Sequence, residues 1–106
     1  MEELDQYAID IYDAVANAAI SRYHKQWSKY FTDEINFSDE KINANGSISY
    51  ILHTLVGVYS KCYRLYELNK DAESIKLDMI IFQNDFAILH SMLNNALNLT
   101  ILSNKK

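Results

Sequence analysis

The groups able to do chemistry are few: three histidines, one cysteine and some closely spaced carboxylates. His24, His53 and His90 fall one to each of three helical stretches, and three converging imidazoles would make a catalytic zinc site. In a bundle whose first two helices run in opposite directions, His24 lies beside the start of the second helix, near His53. His90 then sits at another depth, so no metal site is expected. Cys62 lies on an apolar stripe between Tyr59 and Tyr66, the position of a small core hydrophobe rather than of an activated nucleophile. Asp10 and Asp13 stand three residues apart on one helix face, as do Glu2 and Asp5. Helical di-iron centres need Glu-x-x-His pairs, and the chain has none. Asp85 and His90 are five residues apart and therefore point about 140° away from each other around a helix. A solvated acidic face is the expectation for these carboxylates, with no catalytic residue and no cofactor.

Three helical stretches must carry all of these groups. From Leu4 to about Phe31, apolar residues recur at Leu4, Ala8, Ile11, Val15 and Ala18, and a neighbouring stripe follows at Tyr12, Ala19, Tyr23, Trp27 and Tyr30. A second helix is capped by Ser47, reads Ile48, Leu52, Leu55, Tyr59, Cys62 and Tyr66, and ends near Asn69 and Lys70. Gly57 lies inside it at a cost of about 1 kcal/mol relative to alanine, for which a close helix–helix approach is one reason. Asp71 caps a third helix running to about Leu102, with a regular stripe at Ile75, Met79, Phe82, Phe86, Leu89, Leu93, Ala96 and Thr100. Ile80, Ile81, Ile88, Leu97 and Ile101 sit on its other faces, so more than one side of this helix needs covering. The polar stretch 32–47 contains the turn signal Asn45-Gly46, and Ser38 with Asp39 and Glu40 would start one short helix there. The expected fold is all-α: an antiparallel bundle of three long helices, with a short fourth helix accommodated in the 33–45 connection.

Composition sets the outer bounds. The 106 residues fit one domain, and 49% of them are hydrophobic, enough to build a core. With no proline and two glycines, the chain lacks the turn residues of β-sandwiches and of phosphate-binding loops. A single cysteine excludes an internal disulfide framework. Net charge −4 argues against nucleic acid, whose phosphates need clustered lysine and arginine. The charge is uneven, −6 over residues 1–40 against +2 over residues 41–106. No run of 18 uncharged apolar residues suggests a membrane span, and the acidic start MEELDQYAID is unlike a secretory signal. The sequons at Asn36, Asn45 and Asn98 then read as chance, and the expected compartment is the cytoplasm, where a lone thiol stays reduced.

With chemistry disfavoured, recognition remains. Tyrosine and tryptophan combine apolar area with a polar tip and populate both bundle boundaries and interface hot spots. In size, acidity and helical content the chain is similar to bacterial immunity proteins, antitoxins and phage-borne inhibitors. That similarity implies a non-enzymatic protein that neutralises a protein target with a basic surface, such as a toxin, a nuclease or a host factor. Asp10, Asp13, Asp33, Glu34, Asp39 and Glu40 would supply charge complementarity, and Tyr12, Tyr23, Trp27 and Tyr30 the buried anchors. The alternative is a homodimeric scaffold or secretion-type chaperone, whose extra apolar stripe on the second and third helices closes a larger assembly. A small helical enzyme is the third reading.

Overall fold

A computed structural model describes residues 6–38, 40 and 47–104. These residues form an all-α fold, with no strand among them: α1 (Gln6–Trp27), α2 (Ile48–Leu68) and α3 (Glu73–Asn104), plus a single 3₁₀ turn at Ser28–Tyr30. The molecule measures 52 × 22 × 17 Å, its long axis set by α3, whose 32 residues extend about 48 Å. α1 is unbroken through Ser21–His24, as expected of a segment without glycine or proline. The Ser47 hydroxyl accepts a hydrogen bond from the Tyr50 N–H at 3.1 Å and caps α2, as its position before Ile48 predicts.

The order of the helices in space departs from the expectation. Tyr23 of α1 reaches Asp85 of α3, and Tyr30, seven residues on, reaches Asp78, seven residues back. α1 and α3 are therefore antiparallel. The four residues between α2 and α3 fold these two helices against one another, with Tyr59 beside Phe82, Gln83 and Phe86. Since α3 opposes both partners, α1 and α2 run in the same sense. The link between them is a crossover rather than a tight reversal. Past the Ser28–Tyr30 turn its described part, 31–38 with residue 40, contains no fourth helix: Asn36 folds back on itself, its Oδ1 accepting from the Ser38 N–H and hydroxyl. Asx-type bonding of this kind competes with helix formation. Asp39 and residues 41–46, including the Asn45-Gly46 turn signal, lie outside the described residues.

Large rings fix how the helices are rotated. Trp27, Tyr23 and Phe82 are fully buried and meet edge to face, Tyr23–Phe82 at 4.6 Å and Trp27–Phe82 at 5.7 Å between centroids. Ala16, Ala19 and Ile20 continue the inner face of α1, while Ile11, Val15 and Ala18 remain in water. α2 contributes Ile51, Leu55, Val58, Cys62 and Leu65, and α3 contributes Ile75, Met79, Leu89, Leu93 and Ala96. Ile35 and Phe37 of the crossover close the core. Lys61 ties the crossover to α2 by donating to the Asn36 carbonyl at 3.1 Å and pairing with the Glu40 carboxylate. No helix among the described residues is long and apolar enough to cross a membrane.

Candidate protein interface

The groups with chemical potential are dispersed. Because α1 and α2 run in parallel, His24 does not meet the start of α2. It rests instead against Phe31 and Phe37 of the crossover, with centroids 5.1 and 6.4 Å away. His90 stacks on Phe86 at 5.7 Å, and His53 is exposed. Among the described residues no three His, Cys, Asp or Glu side chains gather into a metal-binding group. Cys62 is fully buried, and burial pushes its thiol well above the ordinary value, away from the reactive thiolate.

The two aromatic anchors expected to be largest are core residues. Trp27 and Tyr23 are 0% and 1% exposed, so neither ring reaches a partner in this fold. The Tyr23 hydroxyl donates to Asp85 Oδ2 at 2.6 Å, and Arg22 Nη2 donates to the same oxygen at 2.7 Å. Partial burial alone would raise the Asp85 carboxyl, but these two donors outweigh it and hold it below the usual carboxylate range. Burial, reinforced by the carboxylate it faces, pushes the Tyr23 phenol up in turn. One level higher, Tyr30 donates to Asp78 Oδ2 at 2.6 Å, and Lys29 pairs with that carboxylate at 3.2 Å. Tyr12 is half-buried against the core.

The expected acidic face is also divided. Asp10, Asp33 and Glu34 are exposed, Glu40 is paired with Lys61, and Asp39 is outside the described residues. Asp13 is 6% exposed, and its Oδ1 has no hydrogen-bond partner among the described residues. Burial, with the neighbouring Asp10, raises its carboxyl.

Sequence reasoning located the surplus apolar surface on α2 and α3. A further continuous part lies on α1 and α3. Leu77, Ile81, Ile88, Met92 and Leu99 of α3 are all exposed and fall within about 60° of one another around the helix. Tyr7, Ile11, Val15 and Ala18 form the adjoining row on α1. Between the rows runs an open groove in two continuous stretches, about 470 and 270 Å³, which share Arg22, Asp85 and Ile88. The signal was present in the sequence: the steps 4, 7, 4 and 7 from Leu77 to Leu99, and the absence of any charge but His90 from Phe86 to Asn104. Interface centres are poor in charge and rich in large apolar side chains, and the α3 row shares that character, while Arg22, Gln26, Asn84 and Asp85 make the middle of the groove polar. No family model, no curated protein and no solved structure matches the chain.

Proposed function

We propose that the protein is a non-enzymatic, cytoplasmic protein-binding module that receives a helix in the groove between α1 and α3. The observation carrying this reading is the uncharged apolar double row just described, set around the Arg22–Asp85 pair. Soluble monomers rarely leave so large a contiguous apolar surface in water. An amphipathic helix reads such a groove through residues at steps of three, four and seven. The lone buried thiol fits a reducing compartment.

The test is capture from the native host with the tagged full chain, with Ile88→Lys and Tyr63→Lys compared in parallel. Loss of the same bound protein in Ile88→Lys but not in Tyr63→Lys, with both variants folded, supports the groove. Equal capture by both variants removes it. A second reading keeps an inhibitor of a basic protein target, and the exposure of Asp33 and Glu34 on the crossover favours it. Neutralising both, as Asp33→Asn with Glu34→Gln, would then slow association with that target. An unchanged association rate counts against this version.

A further inference from the structure

We infer that the occupant of the α1–α3 groove is α3 of a second copy of this chain, bound antiparallel about a two-fold axis passing close to position 90. The inference rests on the groove being a docking site and adds the identity of what docks there.

Self-complementarity is the first argument. A two-fold interface uses the same patch on both subunits, so the spacing of its contact residues must read identically in both directions when the paired helices are antiparallel. Four of the five row residues, Ile81, Ile88, Met92 and Leu99, are separated by 7, 4 and 7 residues, a pattern symmetric about position 90, with Leu77 beyond its end. Antiparallel pairing about that point sets Ile81 of one copy against Leu99 of the other, and Ile88 against Met92.

The flanking helix agrees with this register. α1 runs antiparallel to α3, with Val15 beside Met92 and Arg22 beside Asp85. The second copy's Ile88 therefore falls at the level of Val15.

Area is the second argument. Eight large apolar side chains of the two rows are between 40% and 75% exposed, a patch of the size class of a standard stable interface, which buries about 800 Å² on each partner. From Phe86 to Asn104 there is no Asp, Glu, Lys or Arg to oppose the approach of a second copy.

The test uses the full chain and two variants, Ile88→Lys and Met92→Glu, each checked by circular dichroism for retained helicity. Wild type is expected to sediment as a dimer at tens of micromolar, and each variant alone as a monomer, with dimer affinity reduced roughly a hundredfold or more by a charge in the apolar contact. Mixing the two variants restores a dimer, because the introduced lysine and the introduced glutamate then face each other across one contact while the other contact keeps its native Met92–Ile88 pair. A monomeric wild type overturns the inference but leaves the groove to the capture experiment, which reads a different partner. Dimers that survive both substitutions also overturn it, by placing self-association elsewhere. Monomers that fail to re-pair on mixing overturn the antiparallel register.

Discussion

The inner and outer stripes of α3 are made of nearly the same residues and have opposite fates. Phe82, Leu89 and Leu93 are at most 6% exposed; Ile81, Ile88 and Leu99, on the same helix, are between 51% and 60% exposed. Hydrophobicity does not separate them. What separates them is the presence of an opposing surface: α2 and the rings of α1 cover the inner stripe, and among the described residues nothing of comparable size faces the outer one. A helix apolar on two sides has two surfaces to cover, of which the described residues of one chain cover one.

The sharpest way to break this comparison is to truncate one residue in each stripe and measure unfolding in urea at low micromolar concentration. Phe82 contacts Tyr23, Trp27, Tyr59 and Phe86. Phe82→Ala should cost about 3–5 kcal/mol, through lost transfer energy and the cavity left among those rings. A loss below about 1 kcal/mol, far under that range, would mean that the ring cluster does not organise the core.

The Tyr23–Asp85–Arg22 cluster lies where the inner surface passes into the groove. Tyr23→Phe removes a hydrogen bond to a carboxylate and keeps the ring, so a loss of about 1–2 kcal/mol is expected at pH 7. Its pH dependence carries a sign. The Asp85 carboxyl is depressed in the folded state, so its contribution is fully present above the ordinary carboxylate range and disappears as pH falls through the folded value. Wild type and Tyr23→Phe should therefore converge in stability on acidification. Asp13 acts in the opposite sense: its raised carboxyl destabilises the fold above that range and ceases to do so on protonation. Asp13→Asn should gain stability at pH 7 and match wild type in acid.

Much of this architecture is legible in the amino-acid order, and the part that is not has a definite cause. Helix existence follows from unbroken 3.6-residue periodicity, and Ser47 announces the start of α2. The inward faces of α2 and α3 are the regular stripes through Leu55 and Cys62 and through Ile75 to Ala96. α1 is different, because it carries two apolar stripes. The more regular of them, from Ala8 through Ile11 and Val15 to Ala18, is not the core. The choice is made by area: Tyr23 and Trp27 bury far more apolar surface than alanine and valine, and they turn their own stripe inward. Helix direction is less local still. Residues 32–47 read equally as a reversal or as a crossover, and only the pairing of Tyr23 and Tyr30 with α3 decides between them. The candidate site was half legible: surplus apolar surface is visible in Ile80, Ile81 and Ile88, but its partner row on α1 emerges only once that helix is rotated.

Gly57 offers a measurement that neither stripe influences. A Cβ built there meets nothing within 4 Å, so close helix packing is not what keeps the glycine. Gly57→Ala should stabilise by up to about 1 kcal/mol through helix propensity alone. A destabilised variant would show that the surroundings of α2 are tighter than the fold implies.

The smallest expected effect decides most about the outer stripe. Ile88→Ser removes a large apolar side chain that is 59% exposed at the rim of the groove. At concentrations too low for association its stability should stay within about 0.5 kcal/mol of wild type. At hundreds of micromolar wild type should gain stability with concentration, since association favours the folded state by mass action, and the serine variant should not. Identical behaviour at both concentrations would mean that the outer stripe is inert surface, and its regular spacing would then have no physical consequence. Divergence appearing only at high concentration would locate the use of these residues outside the single chain. The inner stripe would then fold the protein, and the outer stripe would assemble it.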